Sequence, residues 1–487
     1  MVGRGGRSKA CFLCRQRHLK CDETKPQCIR CKTSGLDCTG FPEVSPFIDE
    51  DPATRLQRRL QSKKKVVTRL PSLQLSLCHL GDDLYFAYLR RELRNGNKLL
   101  DGRWPGFSAL EVPDDLSRQC ITSFAASFFG RWKGNERARE DGLRLYTKSL
   151  RELNYRLSQP EDVSPAQTLL AICILTVCEC LTATSNAGWM QHMLGLNAYF
   201  RLHRFKMFKE RYVLWQFEEQ RFWMIMAAIA ARRPTCLASK EWLTMPWSYA
   251  QEEKSLRQYL LDHTSRIPSL YLIFIDYLKY TDPEARTARA VELETKMKAL
   301  LHTLRTWEVQ WNLEIPHVQE VLLSEEEKSQ YGFATKLVFD NIDHTAFTFL
   351  MYNITMIILL ELWKTFRRAQ DRLSRNVLSE GNGIADIRLL DYCNGYHDTS
   401  LTTATLKHQS RKAALDICRT MLLFQTPDGS WLHAIQLLTA IRMALIVFRQ
   451  DKDTPQVAWL EDVIREIAES QQGWDIGRYT MEEFGYP

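Results

Sequence analysis

Six of the chain's fourteen cysteines lie within residues 11–38. Their spacing gives a C-x2-C-x6-C pattern twice, joined by a six-residue connector, at Cys11, Cys14, Cys21, Cys28, Cys31 and Cys38. A C-x2-C pair brings two thiolates to one side of a turn, which suits a tetrahedral zinc ion. The first ten residues hold no apolar run typical of a secretion signal, so a reducing compartment is expected and disulfides are the poorer interpretation. The spacing therefore predicts a metal site.

Counting ligands predicts how many metal ions these cysteines hold. Two four-coordinate zinc ions need two more ligand positions than six thiols supply, so two sulfurs must bridge both metals. His18 is the only histidine in the segment and falls between the expected ligands. Because the pattern repeats, the bridging sulfurs should occupy equivalent positions, most simply Cys11 and Cys28. We therefore expect two Zn2+ ions.

Positive charge is concentrated in the same part of the chain. Residues 1–70 contain 16 Lys and Arg against 7 Asp and Glu, whereas the remainder is close to neutral. This asymmetry predicts a polyanion partner for the N-terminal part. Basic side chains between the cysteines would also offset the negative charge of a thiolate cluster. Charge alone therefore leaves protein and RNA partners open.

Residues 11–38 resemble the fungal zinc binuclear-cluster transcription factors. The resemblance lies in the cysteine spacing, "RQRHLK" after the second cysteine, "CDE" at the third, a proline in the connector and "SGLDCTGF" at the exit. It implies two short helices, six cysteines binding two zinc ions, and a first helix whose tip meets a CGG-like triplet in the DNA major groove.

The resemblance also implies roles for four side chains. Arg15, Arg17 and Lys20 would contact the DNA backbone, and His18 would contact a base edge. Lysine is usual at the position of His18 in the best-known members. An imidazole N–H can donate to guanine, but it has fewer donors and a shorter reach than lysine, which leaves the triplet open.

Residues 41–75 are expected to form a basic linker. The basic cluster in its second half suits a nuclear import signal or further phosphate contacts, although charge runs are also common on solvated tethers. Leu56, Leu60, Val67 and Leu70 fit alternating heptad positions, with Lys63 in the seam. Two such heptads are short of the three or four that a coiled coil usually needs. A homodimer seam and a frayed helix both stay open.

Beyond residue 75 the apolar residues recur at helical spacing, which predicts an all-α fold. One stripe is Leu143, Tyr146, Leu150, Leu153 and Leu157, and another is Leu293, Met297, Leu300, Leu304, Trp307 and Trp311. Ser164 and Pro165 predict the start of a further helix. The apolar runs at 168–184 and 345–363 carry Glu179 and Glu361 and are expected to be buried core helices rather than membrane spans.

Residues 186–250 resemble the regulatory region of the same family, the second type of fungal-specific transcription factor domain. The likeness lies in "MLGLNAYFRLHRF" and "FWMIMAAIAARRPTCLASKEWLTMPW". It implies a helical array that controls the activator through a small-molecule effector, coregulators or another subunit. No phosphate loop or catalytic motif occurs in the chain, so an enzyme is not expected.

Two features of the large region leave alternatives. The remaining cysteines are expected to be buried thiols, although the three in "AICILTVCEC" could form a redox or metal site. The acidic tail at 461–487 is expected to be an amphipathic helix with Val463, Ile464 and Ile467 on one face. A transcriptional activation segment is the alternative.

These observations predict three parts: a cluster domain at 1–40, the linker at 41–75 and an all-helical regulatory domain at 76–487. The expected function is that of a nuclear regulator of RNA polymerase II type, which binds double-stranded DNA and coregulators and no membrane. The alternative is a non-catalytic zinc scaffold that binds protein partners. Target genes, activation or repression, any effector and the oligomeric state stay open.

Overall fold

The computed structural model describes residues 10–17, 19–24, 26–38, 40, 83–92, 114–159, 165–185, 187–315, 318–340, 342–379, 402–425, 434–452 and 454–469. By its backbone contacts the chain divides into two compact units, Met1–Arg69 and Leu70–Pro487. The predicted linker and its heptads lie outside the described residues.

The first unit contains two short helices, α1 (Phe12–Gln16) and α2 (Ile29–Thr33). Each begins directly after the first cysteine of a repeat. Helices of five residues are too short to be stable in water by themselves, because nucleating a helix costs more than one turn returns. Their stability must come from the groups that pack between them.

The second unit is an array of helices. It comprises α3 (residues 83–92), α4 (Asp115–Trp132), α5 (Glu136–Leu157), α6 (Pro165–Thr182), α7 (Gly188–His203), α8 (Arg211–Ala230), α9 (Lys240–Ala250), α10 (Leu256–Thr264), α11 (Ile267–Lys279), α12 (Pro283–Glu314), α13 (Glu325–Tyr331), α14 (Phe347–Ser379), α15 (Thr403–Met421), α16 (Ala434–Asp451) and α17 (Thr454–Glu469). Short 3-10 turns lie at Lys206–Lys209, Cys236–Ala238 and Leu422–Phe424, and a π turn at Ile342–Ala346 precedes α14.

Helices that are close in sequence mostly pack against each other. Helix α4 packs on α5 and α6, α7 on α6 and α8, and α15 on α14 and α16. Local sequence signals set several starts: Pro165 and Pro283 occupy first-turn positions, and the Asn135 side chain accepts a hydrogen bond from Ala138 N–H at 3.0 Å. One contiguous core of buried side chains runs through the array. The prediction of an all-α fold is confirmed.

One short antiparallel sheet departs from the helical pattern. Strand β1 (Gln319–Leu322) pairs with β2 (Thr335–Val338), with Gln319 opposite Val338. The connection contains α13, whose capping box at Ser324 and left-handed Gly332 (φ 74°) turn the chain back. No two-residue turn signal marks such a connection in the sequence, which explains why periodicity missed it.

The predicted apolar stripes pack against the core, with one exception. All six residues of the α12 stripe are at most 3% exposed. In α5, Tyr146 and Leu153 are buried, whereas Leu143 is 42% exposed. Helix α5 meets α4 through Gly142 instead, the neighbour of Leu143, because the missing side chain lets the two backbones approach. The prediction for Leu143 was therefore wrong.

Within the described residues, α6 and α14 are long and apolar enough to cross a membrane by length and composition. Their apolar windows are 72% and 83% buried among other parts of the protein. In α6, Glu179 accepts a hydrogen bond from the Tyr146 hydroxyl at 2.8 Å. In α14, Glu361 pairs with Lys364 at 2.5 Å. This packing supports the interpretation of both as buried core helices.

The described part of the tail and five of the remaining cysteines are as expected, whereas Cys236 is only partly buried. Val463, Ile464 and Ile467 are at most 3% exposed on α17, so that part of the tail is an amphipathic helix. Residues 470–487 lie outside the described residues. Cys120, Cys173, Cys178, Cys180 and Cys418 are buried and none is in a disulfide. Burial raises the pKa of Cys173 and of Cys180 to about 12, so these thiols are unreactive near neutral pH.

Gly142→Ala tests the contact between α4 and α5. A methyl group at this position would lie 2.8 Å from the backbone nitrogen of Ser127. Alanine gains about 1 kcal/mol of helix propensity over glycine, whereas overpacking costs about 1–3 kcal/mol. We expect net destabilisation, seen as a lower urea midpoint. Lys148→Ala, an exposed change on the same helix, is the control. A midpoint for Gly142→Ala equal to or above that of the control would contradict the close contact.

Candidate metal centre and DNA interface

The two cysteine repeats fold into the same local structure. The backbone N–H of Cys14 donates to Cys11 Sγ at 3.4 Å, and the N–H of Cys31 donates to Cys28 Sγ at 3.4 Å. Each first cysteine thus occupies the position of a helix cap and receives the hydrogen bond that a cap side chain usually accepts. The C-x2-C spacing therefore gives both pairs the same local geometry.

The end of each short helix repeats as well. Leu19 N–H donates to the Cys14 carbonyl at 2.9 Å, and Leu36 N–H donates to the Cys31 carbonyl at 3.0 Å. These bonds turn the chain so that it can return to the third cysteine of the repeat. The unit therefore has an approximate internal symmetry, in which residues 17 positions apart are equivalent.

The six sulfurs form two groups of four. One group is Cys11, Cys14, Cys21 and Cys28, and the other is Cys11, Cys28, Cys31 and Cys38, with the sulfurs of each group within 4.8 Å of one another. Cys11 Sγ lies 3.7 Å from Cys28 Sγ and 3.8 Å from Cys31 Sγ. Sulfurs held at about 2.3 Å from one tetrahedral zinc lie about 3.8 Å apart. The sulfur geometry therefore fits zinc, and Cys11 and Cys28 belong to both groups.

Burial follows the same symmetry. Cys11 and Cys28 are 0% exposed, whereas Cys21 and Cys38 are half-buried. Burial raises the pKa of the Cys11 thiol to about 12, and it raises that of Cys28 further. Hydrogen bonds from the backbone at Cys28 and Gly40 lower the pKa of Cys38 to about 7. Thiolates crowded at the two deepest positions therefore need a cation, which a bound metal supplies.

Charge breaks the symmetry of the unit. The first repeat carries Arg15, Arg17 and Lys20, while the equivalent positions of the second repeat hold a lysine, a serine and an aspartate. Arg17 and Lys20 are exposed, and Arg15 lies in α1. His18 lies outside the described residues. The first repeat is therefore the half that is suited to an anionic partner.

A loop from the first repeat holds the start of the second helix. The Asp22 carboxylate accepts hydrogen bonds from Ile29 N–H at 2.9 Å and Arg30 N–H at 3.1 Å. In return Arg30 Nη1 donates to the Lys20 carbonyl at 3.1 Å. The Thr24 hydroxyl and then these backbone donors lower the pKa of Asp22. The backbone at Lys20, a predicted phosphate contact, is thus joined to the other repeat.

Sequence reasoning missed Asp22 and Arg30 as structural residues and counted them only as charges. A capping box has its partners three residues apart, whereas Asp22 is seven residues before Ile29. The sequence offers only an indirect signal for the role of Asp22. Cys28 fills the cap position of α2, so the remaining free N–H groups need an acceptor from elsewhere in the chain.

Comparisons with known proteins bear on both units. The fungal Zn(2)-Cys(6) binuclear cluster domain matches residues 9–46. The fungal specific transcription factor domain matches residues 113–386, more than half of the chain. The chain belongs to the fungal zinc binuclear-cluster transcription factors. Both resemblances expected from the sequence are confirmed, and this family consists of DNA-binding regulators rather than enzymes. Membership also implies that the cluster binds zinc.

Several curated proteins are similar to this transcription factor over short stretches of its chain. Transcriptional regulatory protein moc3 of Schizosaccharomyces pombe is 50% identical over 32 residues, 7% of this chain and 6% of the relative. The aspercryptin biosynthesis cluster-specific transcription regulator atnN of Emericella nidulans is 31% identical over 70 residues, 14% and 12%. White-opaque regulator 2 of Candida albicans is 46% identical over 35 residues, 7% and 8%. The chain thus matches only a small part of each relative's length. No solved structure matches it.

Asp22→Ala tests the loop that caps α2. We expect faster transfer of zinc to a chelator, because the two repeats lose the bonds that join them independently of the metal. The measurement is the rate of zinc release followed with a chromogenic chelator. Asp37→Ala removes the same charge from an exposed position and is the control. Equal release rates for the two variants would show that the Asp22 bonds add nothing to the cluster.

Proposed function

We propose that this transcription factor acts in the nucleus and binds double-stranded DNA at a CGG-like triplet through the major groove. The observation that carries the proposal is the pair of four-sulfur groups that share Cys11 and Cys28, next to exposed cations of the first repeat. The symmetric sulfurs provide a rigid support, and the unequal charge gives that support one anion-binding side.

Two zinc ions would be held by the six cysteines, with Cys11 and Cys28 bridging. Zinc would supply charge neutralisation and fixed tetrahedral geometry, and no redox chemistry. Two dications against six thiolates leave a negative cluster, which the nearby Arg17 and Arg30 offset. Since α1 and α2 are too short to fold alone, chelation of the metal would unfold this unit.

The DNA contacts would divide by chemistry. Arg15, Arg17 and Lys20 would hold phosphates, which gives affinity without sequence information. His18 would donate from its imidazole to guanine N7 or O6 and so contribute specificity. The bond from Arg30 to the Lys20 carbonyl supports this arrangement, because it fixes the backbone at one end of the contact segment.

The large helical unit would govern the output. We assign the cluster domain to 1–40, the basic linker to 41–75 and the regulatory domain to 76–487. The linker's basic residues would serve nuclear import or phosphate contacts. Coregulators, a small-molecule effector and a second copy of the chain are the partners that this organisation allows, and half-site number in the selected DNA would report whether the protein binds as a homodimer.

Alanine substitutions of single cysteines test the sharing of sulfurs. Cys28→Ala removes a ligand from both groups and should reduce the zinc content of the purified chain more than Cys38→Ala, which removes a ligand from one. Zinc is counted by elemental analysis against protein concentration. Cys236→Ala, outside the cluster, should keep the wild-type content. If Cys28→Ala and Cys38→Ala lose the same amount, the two metals do not share Cys28.

A selection from random duplexes tests DNA recognition by the zinc-loaded full chain. We expect enrichment of a GC-rich triplet and binding that weakens steeply with salt, since several cations displace counterions. His18→Ala should lower the free-energy discrimination between bases at one position by about 1–3 kcal/mol. Arg17→Ala, the control, should weaken all sequences about equally.

Two outcomes would go against the proposal. A zinc-loaded chain that enriches no triplet would favour the alternative of a zinc scaffold for protein partners. A His18→Ala variant that weakens every sequence equally would show that His18 does not contact a base.

A further inference from the structure

Six exposed cations lie on two stretches of the large unit, one at and after the end of α7 and one just after α8. They are Arg201, Arg204, Lys206, Lys209, Arg232 and Arg233, and we call them the basic face. Segments 201–209 and 231–239, which supply them, contain no Asp or Glu. Within the described part of the chain their side chains make no ion pair or hydrogen bond. The face is thus a local concentration of free positive charge in a unit that is close to neutral as a whole.

Contacts between α7 and the segment after α8 hold these two stretches against each other. Asn197 on α7 donates to Thr235 Oγ1 at 3.5 Å and accepts from Cys236 Sγ at 3.1 Å. Burial raises the pKa of Cys236 to about 11, and the nearby charge of Arg201 opposes that shift. Phe205 packs on Trp242 with ring centroids 4.8 Å apart, which anchors the turn between α7 and α8. The cations therefore sit on a fixed support.

Two of these arginines occupy backbone conformations that favour glycine. Arg204, at the end of α7, has φ 56° and ψ −148°, and Arg232, just after α8, has φ 50°. Glycine adopts such angles at little cost, and it commonly ends helices for that reason. Helix termination by itself would be served better by glycine, so it does not account for the two arginines.

Neutralising helix dipoles does not account for the number of cations. Each helix C-terminus carries about half a negative charge. The ends of α7 and α8 together therefore present about one negative charge against six positive ones. Most of the positive charge of the basic face is left for an external anion.

We propose that the basic face binds the phosphate backbone of duplex DNA beside the triplet, which rests on the proposed function. Four of its six cations are arginines, whose forked guanidinium groups match phosphate oxygens. An acidic peptide would need apolar anchors as well, and Leu202 is the one large apolar side chain that is prominently exposed in these segments. Because both units are on one chain, DNA held by the first is at high effective concentration for the second.

Two duplexes test the proposal with the zinc-loaded full chain. The short duplex holds only the selected triplet site, and the long one adds about two helical turns (~20 base pairs) on each side. The variant Arg204→Gly/Arg232→Gly/Arg233→Gln removes three charges, and glycine relieves the two unusual backbone positions. The control Arg137→Gln/Lys148→Gln/Arg151→Gln removes three exposed, unpaired cations from α5.

Wild type and control should bind the long duplex more tightly than the short one. The basic-face variant should lose that advantage, keep wild-type affinity for the short duplex, and show a salt slope on the long duplex smaller by about 2–3. The proposal would be overturned if the basic-face variant, shown to be folded by circular dichroism, bound the long duplex as tightly as the wild type. A variant that binds long DNA normally but loses binding to polyglutamate would also overturn it, and would assign the face to an acidic protein.

Failure of the proposed function is seen separately. It would appear as no preference for the triplet on the short duplex by the wild type. The basic face would then be measured on a long duplex without the triplet, where the variant should still bind more weakly than the control.

Discussion

Six sulfur atoms packed into a space that cannot hold their negative charge are the constraint on which the N-terminal unit depends. Cys11 and Cys28 are fully buried and lie 3.7 Å apart. The buried core of this unit consists of cysteines, with Leu13 packed beside them. Apolar burial therefore cannot fold it, and bound metal is what the sulfur geometry accommodates. Helix position, loop closure and the placement of the basic side chains all follow from that centre.

Symmetry and charge then have separate roles. The repeat gives both halves the same hydrogen bonds and the same pattern of sulfur burial, so either half could carry a recognition surface on geometric grounds. The halves differ in charge at Arg17 and Lys20, whose equivalents in the second half are a serine and an aspartate. Asp22 and Arg30 join the halves without the metal, so the backbone at Lys20 is positioned by its own repeat and by the other. A basic face on the helical unit would extend phosphate binding beyond the cluster.

The sequence predicted the features that are set locally. Cysteine spacing leaves few ways to place six sulfurs, and helical periodicity identified the buried stripe of α12. Features set by distant contacts were missed. Leu143 fits its stripe by spacing, but Gly142 is what faces Ser127 of the preceding helix. The β1–β2 pair forms across a capped helix, and Asp22 caps a helix of the other repeat. Periodicity reports the pattern of residues within one segment. The missed features depend instead on contacts between that segment and others distant in sequence.

The shared sulfurs are tested most directly by cadmium NMR of the full chain after Zn2+ has been replaced with Cd2+. Thiolates that bridge two metals transmit spin coupling between them. The account predicts two cadmium resonances typical of all-sulfur coordination, each split by the other. A single resonance, or two resonances without mutual coupling, would contradict a centre in which Cys11 and Cys28 belong to both metals.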